Sequence, residues 1–433
     1  MWSIGGFVAS QAVRLVSNLV LTRLLFPEAF GLMALVTVLT IGVTMLSEVG
    51  IGLSISQSKR GDDQSFLDTA WTIQVIRGVC LSAILALLAW PAAQLYQEPL
   101  LAFFLPVAAL GLLISGFNPI RIETAARHLL LGRVIAVDLL SQVVATLVTI
   151  VFAWATQSVW SLVWGNVCGS LSKLALAHLM LPGTRSRLLW EPPAVRELIH
   201  FGKWIFASTA FGFLLSQGDR IILGTYVSLD LLGIYNVAQF LATAPMLLAS
   251  TALSRVIIPL YRESISDPSE TIGRRLTVLR RFVTGGTLIL EAGVALIAVM
   301  LVGVLYDERY AAAGPIAVLI ALVQLPLIVG MTYDRAALAA GDSKRYFYNL
   351  AFRTVSQTAL FIGGAELGGL VGALVGHTLA GVLGHAGTVW VARRNNVWDP
   401  WHDIAFGALS LALGGIALWM NWPAIAQLIP QGN

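Results

Sequence analysis

What most constrains this chain is a series of apolar runs, recurring from end to end and separated by connections whose charge alternates. A helix needs about 20 apolar residues to cross the ~30 Å hydrocarbon core of a bilayer. Runs of this kind cover residues 2–22, 30–52, 70–92, 99–118, 133–154, 158–181, 201–223, 231–252, 282–305, 313–332, 348–366 and 368–391. A shorter thirteenth covers 404–420. Alternate connections carry Lys59 and Arg60, then Arg121, Arg127 and Arg133, then Arg185, Arg187, Arg196 and Lys203. The series continues with Arg255, Arg262, Arg274, Arg275, Arg280 and Arg281, then Arg335, Lys344 and Arg345, and ends with Arg393 and Arg394. Together these are 20 of the 27 basic residues, while the turns at 94–99, 156–158 and 365–368 have none. The positive-inside rule places the basic set in the cytoplasm, with the N-terminus starting inside. The first run begins at Trp2 without a basic lead or a small-residue cleavage site, so it reads as a retained helix.

Composition agrees. With 57% hydrophobic and 12% charged residues, the chain leaves no room for a sizeable soluble domain. A formal charge of +4 is too small to point to nucleic acid. Cys80 and Cys168 both lie inside apolar runs and read as packing residues rather than a disulfide or a metal site.

The runs also repeat. Leu21-Thr-Arg-Leu-Leu-Phe-Pro-Glu-Ala-Phe-Gly-Leu-Met-Ala-Leu-Val36 returns without a gap as Leu223-Gly-Thr-Tyr-Val-Ser-Leu-Asp-Leu-Leu-Gly-Ile-Tyr-Asn-Val-Ala238. Leu95-Tyr-Gln-Glu98 matches Leu305-Tyr-Asp-Glu308, Leu140-Ser-Gln142 matches Val355-Ser-Gln357, and Gly165 matches Gly376. The expected fold is therefore an all-α polytopic membrane protein of two six-helix lobes plus a thirteenth helix. Six being even, both halves enter from one side, and their pseudo-twofold axis runs along the membrane normal. The lobes are 1–182 and 201–391; 183–200 is a cytoplasmic linker with a short surface helix, and 392–433 holds the extra helix and tail. The stretch 257–281, ending in four arginines, reads as a surface helix anchored by anionic lipid. Pro106, Pro245, Pro315 and Pro326 fall inside runs and predict bends.

Thr22–Gly31, Phe66-Leu-Asp-Thr-Ala-Trp-Thr-Ile-Gln74, Gly218-Asp-Arg-Ile-Ile-Leu-Gly224 and Leu232-Gly-Ile-Tyr235 carry a family resemblance. They resemble the Wzx-type polysaccharide flippases of the superfamily that also holds the MATE exporters and the lipid II flippase. The likeness runs over most of residues 1–391. It implies a MATE-like, V-shaped pair of lobes in the bacterial inner membrane. It further implies movement of an undecaprenyl-pyrophosphate-linked oligosaccharide to the outer face by alternating access. Partners would be that lipid-linked substrate, membrane lipids and polysaccharide polymerase or export machinery. The chain lacks the short basic segment that usually precedes the first helix in this family.

Seven basic residues remain outside the cytoplasmic set: Arg14, Arg23, Arg77, Lys173, Arg220, Arg309 and Arg353. A mid-bilayer cation costs ~2.5–3.5 kcal/mol on insertion scales, so each needs a partner or an aqueous cavity. Arg14, Arg77 and Lys173, all in the first half, are candidates to line a cationic cavity for pyrophosphate, with Arg23 on the outward path. The competing reading is internal pairing, for example of Arg77 with Asp138, and snorkelling of Lys173. Snorkelling is favoured for Arg353. Asp219 and Arg220, adjacent and so about 100° apart on a helix, cannot form one simple local pair; the resemblance makes them a gate or interlobe contact, and the alternative is an anchored helix end. No Gly-x-x-x-x-Gly-Lys-Ser/Thr occurs, so ATP hydrolysis is not expected, nor is any cofactor. Coupling to H⁺ or Na⁺ would fall to Asp138, Glu291 and His377, with Glu48, Glu366 and His385 weaker candidates; structural bonds are the alternative for each. The ladder Gly368, Gly372, Gly376, Ala380 and Gly384 suits a close helix approach within the second lobe.

Two other functions stand beside the lead. A MATE-like drug or cation antiporter would need an anionic cavity. A membrane glycan polymerase or ligase would need a large periplasmic loop, and the non-cytoplasmic connections are all a few residues long. A transporter rather than an enzyme is expected.

Overall fold

The computed structural model describes residues 2–47, 50–266 and 270–429. Glu48 lies outside these ranges, and Lys203 and Arg255 contribute only their backbone. The described residues form seventeen α-helices and no strand. The thirteen apolar runs are mainly helical, some of them across a break between two helices, and the chain is a multi-pass, all-α membrane protein. Among the described residues seven helices are long and apolar enough to cross a bilayer alone, nine if two bent pairs each count as one span. The crossing-length helices outside that set are Trp2–Leu24, Trp160–Met180 and Pro192–Tyr226. They carry Arg14, Lys173, and Asp219 with Arg220 inside their apolar runs, and Arg23 just past the end of the first.

The chain divides into two compact units, Met1–Phe213 and Leu214–Asn433. The first holds α1 (Trp2–Leu24), α2 (Pro27–Met45), α3 (Ile51–Gln57), α4 (Gln64–Leu87), α5 (Ala89–Leu95), α6 (Leu101–Gly116), α7 (Arg121–Arg127), α8 (Leu131–Thr156) and α9 (Trp160–Met180). Phe26 is extended and Pro27 opens α2, where its missing N–H costs no helical bond. The expected run 30–52 breaks: α2 stops at Met45, and α3 restarts after Gly50, whose φ of +67° is left-handed and suits glycine. The run 99–118 likewise gives way to α7, which is bent 57° from α6.

α10 (Pro192–Tyr226) starts in the first unit and ends in the second. The expected surface helix is thus the first turns of this long helix. The stretch before it is extended and strapped onto α4. Arg187 N–H donates to Asp68 Oδ1 at 3.1 Å, Leu189 N–H to Thr72 Oγ1 at 2.9 Å, and Glu191 N–H to Thr69 Oγ1 at 3.3 Å. Arg60 then bridges Glu191 (2.9 Å) and Asp63 (2.6 Å). Its hydrogen bonds hold both carboxyls below the usual carboxylate range.

The second unit adds α11 (Leu229–Ala242), α12 (Ala244–Ser266), α13 (Glu270–Leu305), α14 (Ala313–Gly330), α15 (Ala336–Ala339), α16 (Ser343–Arg394) and α17 (Pro400–Ala426). Of the four expected proline bends, one is seen as a break: α11 and α12 meet at 48° beside Pro245. Pro315 sits in the first turn of α14, where no bond is lost, and Pro106 and Pro326 lie within continuous helices. α16 folds back on itself at Gly368 and Gly369. A Cβ on Gly372 would fall inside the backbone of Gly364, and one on Gly376 inside that of Leu360. The glycine ladder therefore serves contact between the two arms of this hairpin.

α17 belongs to the second unit. Asn421 Nδ2 donates to Ala295 O at 3.2 Å, and Asp403 gathers Trp398 Nε1 (2.8 Å), Tyr333 OH (3.0 Å), His402 Nδ1 (3.1 Å) and His385 Nε2 (3.2 Å). Arg280 is buried rather than lipid-facing. It donates to Tyr261 OH and Val397 O and stacks on the Tyr333 ring, so at this position lipid anchoring gives way to internal packing. Arg353 pairs with Asp334 at 2.8 Å instead of snorkelling.

Candidate functional site

The polar interior of the first unit begins with two glycines. A Cβ on Gly78 of α4 would lie 2.6 Å from Gly116 Cα of α6, so bare backbones are what let these helices touch. One turn before Gly78, Gln74 Nε2 donates to Gly116 O (3.2 Å) and Asn118 O (2.9 Å), satisfying carbonyls freed where α6 ends and the chain bends. The bend leaves a cavity of about 260 Å³ lined by residues of α2, α3, α4, α6, α7 and α9.

Two cations face it. Arg77 of α4 donates from Nε to Ser47 Oγ (3.1 Å) and from an Nη to Thr44 O (2.9 Å), at the carbonyl end of α2. A helix C-terminus carries partial negative charge, and this contact steadies a guanidinium inside an apolar segment. Lys173 of α9 lines the same cavity and pairs through Nζ with Asp138 Oδ1 of α8 at 2.8 Å. α8 and α9 pack side by side, which puts Asp138 within reach of Lys173; the pairing of Arg77 with Asp138 is not what forms. Each partner keeps over a third of its side chain exposed, 37% for Lys173 and 50% for Asp138. Such a pair is a modest tie that another anion can replace.

Gln74, Asn118, Ser115, Thr44 and Glu123 complete the polar lining. A Cβ on Gly52 would collide with the Glu123 carboxylate, so this glycine makes room for the acid. Glu123 does not stand out in the sequence because it sits among the arginines of a connection. Its signal was a lone acid between Arg121 and Arg127. Asn118 Oδ1 is buried without a partner among the described residues, leaving an acceptor at the cavity wall.

Arg14 and Arg23 lie exposed on α1, outside the residues that line this cavity. In the second unit two of the candidates, Asp219 and Glu291, are acidic and enclosed. Asp219 is buried and accepts from Tyr235 OH at 2.6 Å and Gln239 Nε2 at 2.8 Å. Arg220 turns away and donates to Gln217 Oε1 at 2.9 Å, as the 100° offset requires. Gly218–Gly224 and Leu232–Tyr235 are thereby joined by one buried carboxylate. Glu291 of α13 is fully buried, and neither of its carboxyl oxygens has a partner among the described residues. His377 packs edge-on against Phe361 at 5.7 Å.

Comparison with known proteins agrees with this architecture. A family model described as "Polysaccharide biosynthesis protein" matches residues 20–315. The chain is 20% identical to the succinoglycan biosynthesis transport protein ExoT of Rhizobium meliloti, over 91% of this chain and 79% of that one. It is 21% identical to the lipopolysaccharide biosynthesis protein WzxC of Escherichia coli, over 88% and 77% of the two chains. Among solved structures, the lipid II flippase MurJ in an inward closed conformation aligns with a TM-score of 0.70 at 11% identity, over 99% of this chain and 97% of that one. An inward-facing MATE-family multidrug transporter aligns at 0.67 and 14% identity, over 89% and 94%. At these identities the structures speak for the fold.

Proposed function

The chain belongs to the polysaccharide biosynthesis protein family, and on that premise we propose that it flips a lipid-linked oligosaccharide across the bacterial inner membrane, from the cytoplasmic to the outer leaflet, by alternating access. The observation that carries this reading is the pair of cations, Arg77 and Lys173, on one polar cavity of the first unit. A diphosphate linking lipid to sugar presents the concentrated negative charge that a guanidinium and an ammonium recognise together. Arg77 is held by α2, and Lys173 is shared with Asp138. An incoming diphosphate oxygen takes the place of Asp138 on Lys173. Arg14, off this cavity, has no part in that contact; Arg23 serves the outward path, and Asp219 and Arg220 mark the second unit's gate.

In this reading the N-terminus and the basic connections are cytoplasmic. Coupling rests with the second unit. An ionised carboxylate buried without a partner is costly, and the cost falls away when the group carries a proton or a monovalent cation. Glu291 meets that description; Asp138 and His377 are the lesser candidates, the first committed to Lys173 and the second to a ring contact. Two cations on the cavity disfavour an exporter of cationic drugs, and the partners would be polymerase or export machinery that takes up the flipped glycan.

Deletion of the chain from its host is the test. Lipid-linked repeat units should accumulate on the cytoplasmic face and surface polysaccharide should disappear. Undiminished surface polysaccharide, with no accumulation, would contradict the proposal.

A further inference from the structure

The second unit has another concave polar site, remote in sequence from the residues considered so far. The hairpin of α16 brings its first turns and its last turns to the same end, the end rich in Arg335, Lys344, Arg345, Arg393 and Arg394. There a cavity of about 590 Å³ is lined by Lys344, Arg345, Tyr348, Trp390 and Asn395 together with the 340–342 turn. That volume lies within the ~300–1,000 Å³ typical of small-ligand pockets.

We propose that this pocket holds the phosphate headgroup of an anionic phospholipid from the surrounding bilayer. Three features argue for it. The first is an excess of positive charge: Lys344 and Arg345 face the pocket's one acid, Asp342, and while Arg345 pairs with it through Nη1 at 2.6 Å, Lys344 is exposed with its Nζ 6.0 Å from the Tyr348 ring centroid. The second is depth. Tyr348 and Trp390, one from each arm, are both exposed at the pocket, and such residues collect at the headgroup level of membranes. The third is a path for acyl chains. Tyr348, Phe352 and Val355 form an exposed stripe at helical spacing down one arm, and Trp390, Leu383 and Leu379 form another down the second. A polar, cationic head site with apolar stripes leading from it into the membrane suits a bilayer lipid rather than a free anion.

The test is native mass spectrometry of the full chain extracted from phosphatidylcholine vesicles containing phosphatidylglycerol. The wild type should retain phosphatidylglycerol in preference to phosphatidylcholine. Lys344→Ala/Arg345→Ala should weaken its binding about thirtyfold, each lost cation weakening attraction by ~1 kcal/mol. Lys344→Glu, at an exposed position that makes no hydrogen bond among the described residues, should do so without disturbing the fold. Arg281→Ala, an exposed cation on α13, should leave occupancy unchanged. Equal retention by Lys344→Glu, equal retention of phosphatidylcholine, an equal loss in Arg281→Ala, or displacement of the lipid by millimolar inorganic phosphate would each overturn the proposal.

Discussion

The two units are built from one pattern and filled with opposite chemistry. Leu25 N–H bonds Leu21 O at 2.8 Å in the first, and Val227 N–H bonds Leu223 O at 2.9 Å at the matching turn of the second. Gly31 and Gly233 are both buried one turn into the next helix, and Tyr96 and Tyr306 are both buried, in the connections before α6 and α14. Yet the first unit opens a cavity onto Arg77 and Lys173, whereas the second encloses Asp219 and Glu291. The scaffold tolerates this divergence because its apolar contacts, shared between the halves, carry the fold. The difference teaches where to look for work: an anion site in one half, a cation or proton site in the other.

The sharpest way to break this contrast is to neutralise the first unit's cations. Arg77→Gln/Lys173→Gln should lower flipping of lipid-linked glycan into vesicles by about a thousandfold, since each lost charge-assisted bond is worth ~1.5–3 kcal/mol. Surviving flipping would remove the distinction between the units.

The next effect concerns packing. Gly165 and Gly376 are equivalent, but a Cβ on Gly165 would strike the Thr149 side chain, which can turn, whereas on Gly376 it would strike the Leu360 backbone, which cannot. Gly376→Ala should cost about 3 kcal/mol and Gly165→Ala about 1 kcal/mol, read as thermal denaturation in detergent. Equal losses would mean that the hairpin of α16 is not the tighter contact.

Glu291→Gln keeps the side chain's shape, so stability should shift by less than ~1 kcal/mol. Flipping should nevertheless cease to respond to an imposed proton or sodium gradient. A retained gradient response would move coupling elsewhere, to Asp138 first.

The smallest effect is at the strap. Arg60 holds the carboxyls of Glu191 and Asp63 below their ordinary range. Their contribution is therefore complete above the unfolded carboxylate range, near pH ~4, and is lost as pH falls through the lowered values. Arg60→Gln should make proteolysis at residues 183–191 faster at neutral pH and flatten its acid dependence.

Much of this architecture was legible. Bilayer-length runs made the membrane fold and the approximate place of most long helices legible, because they follow from the cost of exposed backbone and charge in lipid. The breaks at Leu46–Gly50 and at α6–α7 were not legible, since apolarity continues through them while the backbone turns. The Phe66–Gln74 segment was recognisable as a motif, but its role was not. Asp68, Thr69 and Thr72 accept backbone N–H groups of a stretch more than a hundred residues away, and such pairing leaves no periodic trace. Arg77 and Lys173 stood out as intramembrane cations, whereas Glu123 was hidden by its arginine neighbours. The pairing of Asp138 depended on which face of α8 meets α9, which hydrophobic periodicity in an all-apolar helix does not specify.

The most direct test of the central claim is the affinity of the purified full chain for undecaprenyl pyrophosphate, measured for the wild type, Arg77→Gln/Lys173→Gln and Glu291→Gln. The account predicts that the double variant binds more than ~100-fold weaker, that Glu291→Gln binds as the wild type does, and that inorganic pyrophosphate competes. Unchanged affinity in the double variant would contradict it.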